Sequence, residues 1–145
     1  MNKEKIFNLF EEGVDENGIS NSTVEDFMER AYLKIGMFTK LIINHFTFHK
    51  KLKDFFDKEG TKYDADGVKE ASEIVVYNRA WAYIRKVDIT KESHIKAIKQ
   101  FEPITFNKAL QNSIWYFEGR EEYEKCAHLF KIQKVVKTFQ NSLEE

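Results

Sequence analysis

Residues 23–60 read TVEDFMERAYLKIGMFTKLIINHFTFHKKLKDFFDKEG, and this stretch decides the fold of the chain. Alternate steps of four and three residues from Val24 meet ten positions, of which eight are apolar. Apolar residues at this spacing form the buried seam of an α-helix. The stretch therefore predicts one long helix that ends at Gly60. The ten positions are Val24, Met28, Ala31, Ile35, Phe38, Ile42, His45, His49, Leu52 and Phe56.

The predicted helix is long for a chain of this size. Ser22 or Thr23 can cap its start with a side-chain oxygen. Unbroken, the helix would be roughly 50 Å long at about 1.5 Å per residue. A kink is therefore expected, either near Gly36 or within residues 44–47.

The composition limits the class of protein. Of the 145 residues, 42% are hydrophobic and 32% are charged, values typical of one globular domain over residues 1–145. The single proline suits a helical chain, and no segment alternates polar and apolar residues for long enough to predict a strand. The single cysteine, Cys126, excludes an internal disulfide framework and favours the cytoplasm. No apolar run is long enough to predict a membrane span.

Further helices are predicted on both sides of the long one. Residues 1–22 are interpreted as an acidic N-terminal helix and loop. The helix over residues 68–87 is apolar almost all the way round, which predicts a central position. Shorter helices follow over 91–101, 106–118 and 120–142, so that residues 68–143 would form two helical hairpins. The predicted fold class is all-α, a helical bundle with one long, kinked helix and two C-terminal helical hairpins.

The two predicted hairpins resemble each other at an offset of 34 residues. Residues 78–101, laid over 112–135, place Trp81 on Trp115. An offset of 34 is the period of the tetratricopeptide family, which residues 72–140 resemble. The resemblance implies helical hairpins that bind other proteins, and it predicts equivalent buried places for the two tryptophans. The other pairs are Asn78 and Asn112, Tyr83 and Phe117, Lys91 and Lys125, His94 and His128, Ile95 and Leu129, and Ile98 and Ile132.

The last predicted helix also resembles the helical hairpin of the UvrB and UvrC proteins. That hairpin has a core of an aromatic residue, a glutamate, two alanines and a leucine. Phe130 and Lys131 stand here where the family has an Arg-Asp pair. This second resemblance also implies contact with a protein rather than catalysis. The matching residues are Tyr123, Glu124, Ala127 and Leu129.

The long helix carries more apolar faces than a bundle of this size can cover. An uncovered apolar patch marks an interaction site, and the neighbouring basic residues would form its polar rim. The leading interpretation is a non-enzymatic interaction or adaptor module that binds another protein or forms a homo-oligomer, such as a small bacterial or phage accessory protein. The predicted partner-binding residues are Leu41, His45, Phe48, His49, Lys51 and Phe55.

Two histidines at helical spacing raise a metal-binding alternative. His45 and His49 lie four residues apart, a spacing at which two imidazoles can share a metal ion. The residues between them include no carboxylate, so the zinc-protease pattern HExxH is absent. Histidines that hydrogen-bond within the bundle explain the pair better. No metal, no cofactor and no catalytic residue is therefore predicted.

A second alternative is nucleic-acid binding through a stripe of lysines. Residues 1–29 have a formal charge of −6 and the remaining 116 residues have +5, so the chain is polarised although its net charge is −1. A basic stripe beside exposed aromatic residues is typical of nucleic-acid-binding proteins. The alternative site consists of Lys125, Lys131, Lys134 and Lys137.

Overall fold

The computed structural model describes residues 24–60 and 65–144, which form five α-helices and no strand. The all-α prediction is confirmed for this part of the chain. The acidic helix and loop predicted over residues 1–22 lie outside the described residues. The helices are α1 (Val24–Glu59), α2 (Ala65–Ile84), α3 (Glu92–Ile98), α4 (Pro103–Gly119) and α5 (Tyr123–Glu144).

The long helix α1 is the central element of the fold. It packs against α2, α3 and α4, and its buried residues follow the seam that the sequence predicts. Helicity continues without a break through Gly36 and residues 44–47, so a kink there would be a bend within one helix. The buried seam of α1 consists of Ala31, Ile35, Phe38 and Ile42.

Helix α2 does not have the central position that its sequence predicts. Ile74 is 40% exposed and Val75 is 63% exposed, although both are apolar. The buried residues of α2 lie in its C-terminal half, at Tyr77, Ala80 and Ile84. The prediction was wrong because apolar composition alone does not say how many neighbouring helices a helix has.

One of the two predicted hairpins is present. Helices α4 and α5 pack closely on each other, and the turn between them closes with a 2.9 Å hydrogen bond from the Glu122 N–H to the Phe117 carbonyl. Glu121 occupies this turn with a φ of 61°, in the left-handed region. The short helix α3, by contrast, packs on α1, and the main antiparallel partner of α2 is likewise α1.

Two helix starts differ from the sequence prediction. Helix α4 begins at Pro103 rather than at residue 106, because Glu102 caps it and accepts hydrogen bonds from the backbone N–H groups of Ile104 and Thr105. Proline suits the first turn of a helix, because a backbone N–H at that position would have no carbonyl acceptor within the helix. Helix α3 begins at Glu92 rather than at residue 91, and Thr90 just before it bonds Asp88 through its backbone N–H and its hydroxyl.

The core joins one side of α1 to the inner sides of the other helices. Phe38 is fully buried and meets Phe106 of α4 edge-on, with 6.4 Å between ring centroids. Phe117 is 1% exposed and lies against Tyr77 and Trp81 of α2. The remaining buried apolar residues are Val87, Ala97, Ile98, Ala109, Leu110, Leu129, Ile132 and Val136.

Residues paired by the offset of 34 positions are not all buried to the same degree. Trp115 is 62% exposed, whereas Trp81 is partly buried against the core, so the prediction of equivalent buried places was wrong. Ile84 is likewise buried, while Glu118, its counterpart, is exposed. Helix α4 turns Phe117 inward, and Trp115 two residues earlier points about 200° away around the helix.

Truncation of these two aromatic residues of α4 should have very different effects. Phe117→Ala should lower the free energy of unfolding by about 3–5 kcal/mol, because it leaves a cavity in the core. Trp115→Ala should change it by less than about 1 kcal/mol, since surface substitutions remove little buried area. Urea unfolding followed by circular dichroism would measure both, and equal losses would contradict the assignment of Phe117 as the core residue.

Candidate functional site

The far end of the α1–α2 pair is poorly buried. We call residues 44–60 and 65–75 the hairpin tip. None of its described side chains is buried, although α1 is fully buried at Ile42 and α2 at Tyr77 on either side of it. Leu52 and Phe56 are only half-buried there. Two helices alone cannot shield both sides of their apolar residues from water.

Large apolar side chains lie open on the hairpin tip. Phe48 is 60% exposed and Phe55 is 57% exposed. These two residues are seven apart, so they lie on nearly the same face of α1 two turns from each other, and exposed Lys51 lies between them. Leu41, one heptad earlier, is half-buried against the core. The other exposed apolar residues of the tip are Phe46, Val68, Ile74 and Val75.

A second surface of the tip opens into a cleft between α1, α2 and α4. This cleft, which we call the aromatic cleft, has a volume of about 600 Å³. Aromatic rings from all three helices form much of its wall, and Lys50, Lys53 and Lys69 also line it. The Lys108 ammonium lies 5.0 Å from the centroid of the Phe46 ring. The aromatic lining residues are His45, Phe46, His49, Tyr77, Trp115 and Tyr116.

The structure therefore divides the six predicted partner-binding residues. His45 and His49 line the aromatic cleft, whereas Phe48, Lys51 and Phe55 lie on the open outer face of α1. Leu41 belongs to neither surface because it packs on the core. Adjacent residues such as Phe48 and His49 point about 100° apart around the helix, which is why one sequence segment supplies two surfaces.

The histidine pair makes one contact that was not predicted from the sequence. His49 Nε2 lies 2.7 Å from the hydroxyl of Ser72 on α2. The Ser72 hydroxyl also lies 2.8 Å from the Val68 carbonyl and 3.0 Å from the Lys69 carbonyl of its own helix, and these two carbonyls share its single proton. His49 is then the donor in the histidine–serine bond. No pattern in the sequence indicates this contact, because the two residues are 23 positions apart on different helices.

His45 keeps an unused polar atom beside the cleft. Its ring lies 4.5 Å from that of His49, centroid to centroid, and its Nε2 is shielded from solvent without a hydrogen bond to a described residue. Burial lowers the pKa of His45, and electrostatic repulsion of its charged form by His49 and Lys69 lowers it further. His45 is therefore neutral at pH 7. Within the described residues, no group of three or more possible metal ligands lies together.

A stacked tyrosine pair separates the aromatic cleft from the core. The rings of Tyr77 and Tyr116 are nearly parallel, with centroids 4.3 Å apart. Burial, together with the negative charge of Glu73 and the neighbouring Tyr116, raises the pKa of Tyr77 to about 12. The Tyr116 hydroxyl is shielded from solvent, and the Arg120 guanidinium lies 5.6 Å from the centroid of the Tyr116 ring.

The lysine stripe predicted on the last helix is not one continuous site. Lys125 pairs with Glu122 at 3.0 Å and its ammonium lies over the rings of Trp81 and Phe117, so it is held among neighbours of its own chain. Lys131 and Lys134 line a groove that Lys125 does not line, and Lys137 is exposed.

Cys126 is half-buried, and burial raises the pKa of its thiol, which makes the thiol less reactive.

No family model, curated protein or solved structure matches the chain. None of the described helices combines the length and apolarity needed to cross a membrane.

The stacked tyrosines should make the protein sensitive to alkaline pH. The pKa of Tyr77 is raised in the folded state above about 10, the value in an unfolded chain. Stability should be unaffected below pH 9 and should fall as the pH rises from about 10 towards 12, because only the unfolded chain ionises readily there. Melting temperatures measured from pH 8 to pH 12 should fall less steeply for Tyr77→Phe than for the unsubstituted protein. An equally steep fall of the melting temperature in both proteins would contradict the raised pKa of Tyr77.

The histidine pair should not require a metal ion. Purified protein should carry no stoichiometric zinc, nickel or iron, since His49 Nε2 is already bonded to Ser72. A chelator should leave its helicity and melting temperature unchanged. Elemental analysis that finds one metal ion per chain, lost in His45→Ala, would overturn this prediction.

Proposed function

We propose that this chain is a non-enzymatic protein-interaction module and that the hairpin tip is its binding surface. The observation that carries the proposal is the contrast along α1. Four seam residues are buried up to Ile42, and beyond this point Phe46, Phe48 and Phe55 are each about half exposed or more. Aromatic side chains that pack into a partner are common anchors of protein interfaces. A partner that covers the tip would bury them.

Two further helices form the partner surface that best fits the tip. Two antiparallel helices become a stable unit when another pair packs on them to form a four-helix bundle. Phe48 and Phe55 are one heptad apart along α1, a spacing that suits packing against another helix. The apolar residues Ile74 and Val75 of α2 extend the same tip.

The charges of the tip favour a second copy of the chain as that partner. The α1 part carries a basic run, whereas the α2 part is mainly acidic. A two-fold axis would place α1 of each copy beside α2 of the other, so that unlike charges meet twice. The basic run consists of Lys50, Lys51 and Lys53 and is followed by Asp54, Asp57, Lys58 and Glu59, whereas α2 carries Asp66, Glu70 and Glu73 beside the single Lys69.

The aromatic cleft would receive one side chain of the partner. Its volume of about 600 Å³ lies within the range of roughly 300–1,000 Å³ typical of ligand pockets. His45 Nε2 makes no hydrogen bond with a described residue, and a polar group at the end of an apolar side chain of the partner would satisfy it. Trp115, 62% exposed at this cleft, would then be covered.

Phe48→Asp should weaken this association by well over tenfold, because a carboxylate would have to be buried in an apolar contact. The fold should remain, since Phe48 is 60% exposed and lies outside the core. Sedimentation equilibrium over a range of concentrations would measure self-association, and circular dichroism would check the helicity. Ile104→Asp is the matched control, because Ile104 is 66% exposed and lies at the start of α4 outside the tip.

The measurements separate the two kinds of protein partner. A dimer that Phe48→Asp dissociates and Ile104→Asp leaves intact would support the second copy. The unsubstituted protein could instead be a monomer that captures one cellular protein in a salt-tolerant way. If Phe48→Asp abolishes that capture and Ile104→Asp does not, the result would support a different helical partner. Equal behaviour of both variants in both measurements would place the interface elsewhere.

A further inference from the structure

A second surface of the molecule concentrates positive charge away from the hairpin tip. Two neighbouring depressions of about 470 and 540 Å³ share Ile89 and Lys131 among their lining residues. We call them together the basic groove. They lie between the segment that joins α2 to α3, helix α3 itself and helix α5. The basic groove is lined by Arg85, Lys86, Lys91, Lys99, Lys131 and Lys134.

The charge of the groove is almost unopposed. Asp88 is the single carboxylate among its lining residues, against six cations. Its Oδ1 already accepts hydrogen bonds from the Thr90 N–H at 2.9 Å and the Thr90 hydroxyl at 2.6 Å. No ion pair between described residues involves any of the six cations, whereas Lys69, Lys96 and Lys125 elsewhere each pair with a glutamate.

The positive field extends from the groove to the neighbouring surface of α1. Burial lowers the pKa of Lys34, and the nearby charges of Lys86, Arg30 and Lys91 lower it further. His94 beneath the groove stays neutral, because burial and the charge of Lys91 lower its pKa more strongly than Asp88 raises it. The N–H of Asp88 donates to His94 Nδ1 at 2.9 Å, which places the neutral ring's proton on Nε2.

Apolar and aromatic side chains lie among these cations. Ile89, Ile95 and Val135 line the groove together with Phe139, over which the Lys99 ammonium lies at 5.9 Å. Phe130, one helical turn before Lys134, is 48% exposed, and the Lys134 ammonium lies 4.8 Å from its ring centroid. The groove therefore offers cations for a charged backbone and apolar or aromatic surface for planar groups.

We propose that the basic groove binds single-stranded nucleic acid through its sugar–phosphate backbone. A single strand carries a negative charge at every nucleotide, which matches a groove lined by six cations and one engaged carboxylate. Grooves that bind single strands combine positive charge with aromatic side chains on which bases stack. An acidic protein segment would match the charge but would leave the aromatic surface without planar partners. The basic groove shares no lining residue with the aromatic cleft, and none of its lining residues lies in the hairpin tip.

The test measures binding of a fluorescein-labelled 20-nucleotide strand of DNA or RNA by fluorescence anisotropy from 50 to 200 mM NaCl. The full-length protein should bind both strands, with an affinity that falls linearly with salt on a double-logarithmic scale. Lys131→Ala/Lys134→Ala should weaken binding at least tenfold at 50 mM NaCl. Loss of two phosphate contacts should also make the salt slope shallower by about 1.4, at about 0.7 per contact for a single strand.

Lys40→Ala/Lys58→Ala is the matched control. It removes the same charge from two exposed lysines of α1 that do not line the groove, and it should change affinity less than twofold. Far-ultraviolet circular dichroism should show equal helicity for both double variants, since all four lysines are exposed. Equal loss of binding in the two double variants, or no binding by the unsubstituted protein, would overturn the proposal.

A 20-residue polyglutamate distinguishes nucleic acid from an acidic protein segment. As a competitor it should displace the labelled strand at least tenfold less effectively than the unlabelled strand does, because it offers charge without bases. Equal displacement by the two competitors would overturn the assignment to nucleic acid in favour of an acidic protein. Failure here is distinguishable from failure of the hairpin-tip proposal, because that proposal is tested by self-association and this one by strand binding.

Discussion

The structure depends on the burial of one side of α1 over little more than three helical turns. Between Ala31 and Ile42 every seam position is inaccessible to water, and α2, α3 and α4 all contact this helix. At about 25 cal/mol for each Å² of apolar surface removed from water, side chains such as Phe38 and Ile35 dominate the stability of the bundle. Helix α1 nevertheless continues to Glu59, and this excess length creates the hairpin tip and one wall of the aromatic cleft.

Sequence periodicity predicted those features of the fold that are determined within a single helix. The 3.6-residue spacing of apolar residues identified α1 and its buried seam, and Gly60, with a φ of 67°, ends it as expected. The fold class followed from the absence of strand patterns. Exposed Phe48 and Phe55 agree with the expectation that the long helix would keep an open apolar flank.

Properties that depend on pairs of helices were not predictable in the same way. Trp115 and Phe117 are both large and aromatic, and only the packing of α4 on α2 decides that Phe117 is the buried one. The contact between His49 and Ser72 requires two helices to be aligned in register. The basic groove draws its cations from the α2–α3 connection, α3 and α5, whereas a stripe read along α5 alone included Lys125, which is held by Glu122.

The uneven burial along α1 means that one continuous helix belongs to two cooperative units. Local opening of a segment costs the free energy of the contacts that it breaks. Opening the half around Phe38 would disrupt the core, whereas opening the half beyond Ile42 breaks backbone hydrogen bonds and only half-buried contacts. Amide protons of the second half should therefore exchange with solvent through small fluctuations and those of the first half only through global unfolding. A ligand that covers the half of α1 beyond Ile42 would then make the whole helix unfold as one cooperative unit.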